Sequence, residues 1–315
     1  MAVLTLNEND VLKVLPSVDV FSTIEAMFAA LGKGEALQPK QVQTLFPGGK
    51  GDFINYSGVW MSAGVYGLKT SPYIIHENGY TVTAWTLLMS TETGEPILLV
   101  DSSCLTVERT AATTAVAVKY LAQPKATRLA VIGSGAQALA HIRYVNKLRA
   151  WDSIRVWSLN SHELTQDKRE EFIKAGGEKL SFAATKEEAL QGADVILLCT
   201  SAAASVIEQK DIEGAPLVTS ISTNAPCAHE IDPAMLSAMD VYCDCAETTA
   251  GVAGEMKLAI EQGQWSPDQV KGDLGSLVNG ACAKPAYDKP VFFRSIGQGL
   301  EDVAVALAVM KEIQK

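Results

Sequence analysis

The chain has 315 residues, 48% hydrophobic and 20% charged, which is enough for about two domains with real cores and too apolar for a disordered chain. Its 26 basic and 36 acidic residues leave a net charge of −10, a poor field for attracting nucleic acid. No apolar run reaches the ~18 residues of a membrane-spanning helix, and the first residues lack the basic-then-apolar pattern of a signal peptide, so a cytoplasmic protein with no membrane partner is expected.

In chain order, residues 8–32 carry two helical stretches marked by Leu12, Leu15, Phe21, Ile24, Met27, Phe28 and Leu31. Strand-like segments follow at Val42–Leu45, Asp52–Tyr56, Gly64–Thr70, Thr81–Met89 and Pro96–Asp101. Gly48-Gly49, Asn78-Gly79 and Thr93-Gly94 punctuate them as turns, which predicts a mostly antiparallel sheet. An Ala- and Thr-rich helix is predicted from Thr106, as N-cap, to Leu121, and Pro124 ends it.

From there the pattern changes. Short apolar strands at 128–132, 154–157, 180–183, 193–200, 216–221 and 240–244 alternate with helical stretches at 137–149, 163–174 and 186–191. Such alternation predicts βαβ units and a parallel sheet covered on both faces. The last helix, Leu300–Ile313, is apolar at Val303, Ala306, Leu307 and Met310 and needs a partner surface, either the first domain or a second subunit. The fold class is therefore α/β, with a Rossmann-type doubly wound parallel sheet plus an α+β domain. The six cysteines form no C-x-x-C pair and no two of the four histidines have ligand spacing, so reduced thiols and no metal are expected.

Gly133-x-Gly135-x-x-Ala138 follows a strand and opens a helix, the context a dinucleotide fingerprint requires. Gly133 allows the tight turn, Gly135 lets a pyrophosphate approach the backbone, and Ala138 keeps close packing. The residue that reads the adenosine ribose belongs at the end of the second strand, in Trp157-Ser158-Leu159-Asn160-Ser161-His162. Neither the acid typical of NAD sites nor an arginine for NADP stands there. Asn160 can bond a 2′-hydroxyl. Ser158, Asn160, Ser161 and His162 can together hold a 2′-phosphate, without a full positive charge. The cofactor is thus read as NAD or NADP, leaning to NAD.

Three charges sit in apolar surroundings: Lys69 on a strand, Arg109 near the start of a helix, and Asp244 at a strand end. Each alone is more simply a surface or capping charge. Together, two cations and a carboxylate suit an amino-acid substrate, the cations binding its carboxylate and Asp244 exchanging the proton on nitrogen.

In this order these residues resemble the ornithine cyclodeaminase/μ-crystallin family over nearly the whole chain. The matching segments are Gly67-Leu68-Lys69, Thr106 to Ala112 around Arg109, Gly133 to Ala138, Pro226 to Asp232, Asp244, Ala253-Gly254-Glu255 and Phe293 to Asp302. The resemblance implies a homodimer, with a substrate and dimerisation domain of residues 1–121 and 292–315 and an NAD(P) domain of residues 122–291. It implies catalytic roles for Asp244 and Lys69 and a substrate-carboxylate site at Lys69, Arg109 and Gln41. It assigns the cofactor to Thr110, Gly133, Ser134, Gly135, Ala136, Gln137, Ser158, Asn160, Thr200, Ser295 and Gly297. The activity it implies is NAD(P)H-dependent reduction of a ketimine or imino acid, or amino-acid dehydrogenation, for example Δ1-pyrroline-2-carboxylate to proline. The alternatives are ornithine cyclodeamination and a binding protein with little turnover. Gln41 stands where the family carries a third arginine, with neighbouring Lys40 the alternative, and no carboxylate lies between Phe53 and Lys69, where cyclodeaminases carry one. Both departures weigh toward net hydride transfer.

Overall fold

The computed structural model describes residues 3–222 and 227–315. The chain divides into two units, one of residues up to Arg109 with Gly297–Lys315, the other Thr110–Ile296.

The first unit contains β1 (Leu4–Leu6), α1 (Glu8–Val14), α2 (Val20–Gly32), β2 (Ala36–Leu37), β3 (Val42–Leu45), β4 (Gly51–Trp60), β5 (Val65–His76), β6 (Gly79–Val82), β7 (Trp85–Ser90) and β8 (Pro96–Asp101). Asn7 opens α1 with a capping box to Asp10, and Asp19 caps α2. The sheet runs β1-β8-β7-β5-β4-β2, with β3 added to β4 and β6 to β5. Among the described residues of this sheet, only the β1–β8 pair is parallel. The segment 81–89 is two strands rather than one, because Thr83 and Ala84 leave the ladder between β6 and β7.

The C-terminal helix Gly299–Ile313 packs on this sheet, and glycines let it come close. A Cβ on Gly58 would lie 2.6 Å from Leu300 Cα, and one on Gly67 would lie 2.5 Å from Val303 Cγ2. One on Gly299 would lie 2.5 Å from the Ser57 carbonyl oxygen. Sheet and helix backbones therefore meet with no side chain between them, which fixes the depth of the first helical turn.

The helix α3 (Ser103–Leu121) starts before Thr106, so Thr106 is not its N-cap. Asp101 accepts the Ser103 amide, and the Thr106 hydroxyl bonds back to the Ser102 carbonyl at 2.8 Å.

In the second unit follow β9 (Arg128–Ile132), α4 (Ala136–Val145), β10 (Ser153–Trp157), α5 (Gln166–Gly176), β11 (Leu180–Phe182), α6 (Lys186–Leu190), β12 (Val195–Leu198), β13 (Leu217–Ser220), β14 (Asp240–Cys243), α7 (Gly254–Glu261), β15 (Val270–Asp273), α8 (Leu274–Val278) and β16 (Val291–Arg294). The sheet is wholly parallel, in the order β11-β10-β9-β12-β13-β16-β14-β15. Its first five strands are doubly wound, and the chain reverses direction across the sheet between β9 and β12, where such folds bind ligands. Every residue of β12, β13, β14 and β16 is buried, as a sheet covered on both faces requires.

β16 lies between β13 and β14, so residues 292–296 belong with the parallel sheet, not with the C-terminal helix as the sequence boundary has it. Val291, Phe292 and Phe293 are fully buried there, each worth roughly 1.5–3 kcal/mol of transfer from water. Residues 110–121 likewise go with the second unit.

Candidate active site

In the first unit the two sequence-predicted cations meet. Lys69 points from β5 to Asp302, with Nζ 2.9 Å from Oδ2. Arg109 donates from Nε to Asp302 Oδ1 at 3.1 Å and from Nη1 to Glu301 Oε2 at 3.0 Å. The other oxygen of Glu301 accepts the Gln298 amide, closing a capping box at the helix start. The same acid thus starts its helix and holds an arginine. All four charged groups are buried and their charges balance. The Lys69 ammonium also lies 4.5 Å from the centre of the Tyr56 ring and 3.4 Å from the Thr106 hydroxyl.

Burial, with a smaller push from the Arg109 charge, lowers the Lys69 pKa to about 8, outweighing the pull of Asp302. Burial opposes the Arg109 charge too, but Asp302 and Glu301 prevail and hold it firmly protonated. Gly297 sits against this guanidinium at φ +76, where a Cβ would lie 2.3 Å from Nη1. Gln41 is half-buried just before β3, and among the described residues no hydrogen bond links it to Lys69 or Arg109. Gln38 instead accepts the Leu300 amide at 2.9 Å.

In the second unit the glycine loop has the expected shape. Gly133 is at φ +128, its amide donates to the Trp157 carbonyl, and a Cβ there would strike the Cys199 carbonyl oxygen at 2.3 Å. Gly135 is open around its Cα, and α4 begins at Ala136 with no side chain capping its first amides. Backbone donors and a helix dipole left uncapped beside a glycine fit a dinucleotide pyrophosphate. Ala136 is exposed and Gln137 half-buried in this first turn. Ser134 Oγ lies 2.8 Å from Ser158 Oγ, which joins the loop to the end of β10, while Asn160 is exposed.

Thr200, just past β12, gives its amide and hydroxyl to one oxygen of Glu230, both at 2.7 Å. The other Glu230 oxygen takes the Ser220 hydroxyl at 2.7 Å and the Ile221 amide at 3.2 Å, tying the ends of β12 and β13 together. Burial raises the Glu230 pKa, against the pull of these donors. The sequence reading had Glu230 only within a motif whose first residue, Pro226, lies outside the described residues.

Asp244 is fully buried at the end of β14. Its Oδ1 accepts the Cys245 amide and the Thr249 hydroxyl, and its Oδ2 accepts the Ser295 hydroxyl at 3.1 Å and the Ile296 amide at 2.8 Å. Arg294 holds this stretch from below, paired with buried Glu255 at 2.9 Å and bonded to the Ser295 carbonyl. Thr110 is buried in α3. The sequence-predicted residues thus gather into a cation–carboxylate knot in one unit, and a glycine–serine loop and an aspartate hub in the other. Glu301, Asp302 and Glu230 complete these clusters. They were visible only as motif letters, because their partners are far away in sequence, 193 residues for Arg109 and Asp302.

The sequence profile of the ornithine cyclodeaminase/mu-crystallin family matches residues 2–315. The NAD(P)H-dependent anabolic L-arginine dehydrogenase DauB of Pseudomonas aeruginosa is 52% identical over 299 residues, covering 95% of this chain and 94% of that protein. Among solved structures, the iminosuccinate reductase of Paracoccus denitrificans in complex with NAD+ superposes with a TM-score of 0.88 at 25% identity, over 99% of this chain and 96% of that one. The Δ1-pyrroline-2-carboxylate reductase of Thermococcus litoralis, in complex with NADH and L-proline, gives a TM-score of 0.90 over 99% and 97% of the two chains. At 22% identity that likeness speaks for the fold alone.

Proposed function

Because the chain belongs to the ornithine cyclodeaminase/mu-crystallin family, we propose that it is an NAD(P)H-dependent dehydrogenase that interconverts an L-amino acid and its 2-imino acid, with L-arginine the first candidate substrate. The observation that carries this reading is the 52% identity, along nearly the full length, to an L-arginine dehydrogenase. The buried charges and the glycine loop give the reading its chemistry.

The residues that would hold the dinucleotide are Gly133 to Gln137 at the pyrophosphate and Ser158 with Asn160 at the ribose. When bound, the reduced nicotinamide supplies hydride for the imine carbon. The chain's own side chains then have two tasks, to anchor the carboxylate and to provide one proton to nitrogen. Arg109 has five N–H donors, and its bonds to Glu301 and Asp302 take two, so the fixed fork has donors left for a substrate carboxylate. Lys69, with its pKa near 8, exchanges a proton close to neutral pH. Asp244 relays the proton to nitrogen by exchanging its bond from Ser295 Oγ, at 3.1 Å, for the substrate. Gln41 adds a neutral amide contact.

The chain works as a homodimer in this reading. Register places Leu45, Asp52, Tyr73 and Val82 in one cross-strand row, with Ile75 and Tyr80 beside them on the same face. The five apolar side chains are 37–71% exposed, a mostly apolar face around the Asp52 carboxylate that a second copy would cover. The six cysteines are free, which suits the reducing cytoplasm.

The test is reduced-nicotinamide absorbance, with both cofactors and ammonia assayed in parallel. L-Arginine with oxidised cofactor should give an absorbance rise. Its 2-oxo acid with ammonia and reduced cofactor should give a fall. Ammonia release from ornithine without net absorbance change would replace this reading with cyclodeamination. Turnover of Δ1-pyrroline-2-carboxylate but not of arginine would keep the reductase and overturn the substrate.

A further inference from the structure

Three hydroxyls converge just past the ends of β9 and β10. Ser134 Oγ is 2.8 Å from Ser158 Oγ, and Ser158 Oγ is 3.2 Å from Ser161 Oγ. The Ser158 amide donates to Ser161 Oγ and the Ser161 hydroxyl donates to the Ser158 carbonyl, both at 2.7 Å, so the cluster is held by its own turn. A carboxylate here would accept the adenosine ribose hydroxyls and repel a 2′-phosphate. The positions between the serines are Leu159, 81% exposed, and exposed Asn160. Nothing acidic stands in the turn itself.

The missing positive charge comes from the next helix. Arg169, in the first turn of α5, donates from Nη2 to the Ser161 carbonyl at 2.7 Å. Its guanidinium lies 4.7 Å from the centre of the Phe182 ring at the end of β11. An arginine fixed by a ring and a carbonyl is pre-organised, and that single bond leaves most of its N–H donors uncommitted. Of the nearby acids, Glu170 accepts from Gln166 and Glu171 pairs with Lys168 at 2.7 Å, while Asp167 and Glu163 are exposed.

We propose that Ser134, Ser158 and Ser161, with Arg169 behind them, form a receptor for the 2′-phosphate, and that the protein takes NADPH in preference to NADH. The proposal rests on the dinucleotide reading above. It supplies the cation whose absence from the strand end leaned the sequence toward NAD.

Direct binding tests it without turnover. NADPH and NADH are titrated by nicotinamide fluorescence and 2′,5′-ADP by calorimetry, on wild type, Arg169→Met, Arg169→Lys and Ser158→Asp. Wild type should bind NADPH about ten-fold or more tightly than NADH, as one charge-assisted contact provides. Arg169→Met should cut that ratio about ten-fold and weaken 2′,5′-ADP, and Arg169→Lys should keep part of it. Ser158→Asp should reverse the ratio, and it tests the idea even if Arg169→Met fails to fold. A ratio equal in wild type and Arg169→Met, or tighter NADH than NADPH in wild type, overturns the proposal. Failure of wild type to bind either nucleotide overturns the dinucleotide reading itself, a result distinct from loss of preference.

Discussion

The two units handle charge in opposite ways. The antiparallel unit uses side chains: two buried cations locked to two buried carboxylates from the C-terminal helix. The parallel unit uses backbone and hydroxyls: a glycine turn, an uncapped helix start and a serine cluster, with the buried Asp244 carboxylate held by several donors. A side-chain knot gives a fixed, directional grip suited to a small substrate, but removing one member leaves unpaired charge in low dielectric. A backbone cradle carries only partial charges and tolerates changes around it, provided that the turn itself can form.

The sharpest way to break this comparison is Arg109→Ala. It leaves Glu301 and Asp302 buried with Lys69 alone, and should cost about 3–5 kcal/mol in urea unfolding besides raising KM for the amino acid. A loss under about 1 kcal/mol, within the range of surface pairs, would mean that the knot is not part of the fold.

Next comes the titration of Lys69. Its folded pKa, about 8, lies below its ordinary 10.5. Between those values the unfolded chain binds more protons, so this group makes stability rise with pH across the window. The burial penalty is fully present below pH 8 and is relieved toward 10.5, by about 3 kcal/mol at most. Unfolding of Lys69→Met, followed over the same range, should lack that rise. In Asp302→Asn the alkaline limb of kcat/KM should move to lower pH, because Asp302 is what holds the Lys69 pKa up. A limb that stays in place would take Lys69 out of the titration.

Gly133→Ala probes the other unit. The backbone at φ +128 and the 2.3 Å approach to the Cys199 carbonyl should cost about 1–3 kcal/mol and lower dinucleotide affinity at least ten-fold, read by nicotinamide fluorescence. Unchanged affinity would remove the loop from the cofactor site.

The smallest effect on the single chain is expected from Leu45→Lys with Tyr80→Lys. Both residues are exposed, so their replacement should shift unfolding at low concentration by no more than about 0.5 kcal/mol. If the proposed homodimer uses this face, the pair should nevertheless give monomers in sedimentation. A variant that stays dimeric would put the interface elsewhere.

Much of this was legible in the chain. β3, β8 and β9 fall on the predicted residues, because each is a short run bounded by turn or loop residues. α5 starts three residues after its predicted start, at the Thr165 cap, because the sequence there offers several polar starts. β15 and β16 were missed, the first too polar (Val-Lys-Gly-Asp) and the second read as a prelude to the last helix. The Thr106 cap was misjudged because Ser102, Ser103 and Thr106 are all capping residue types within five positions.

What the sequence determined by itself is the local chemistry: periodicity, turn glycines and the fingerprint at Gly133, each set by residues a few positions apart. What only the tertiary structure decided is pairing at a distance. Lys69 and Arg109 meet through Asp302, Glu230 joins the ends of β12 and β13, and Arg169 reaches the Ser161 carbonyl just past β10. Charges interact over a few ångströms whatever their separation along the chain, so which charge faces which is fixed only when strands and helices have packed.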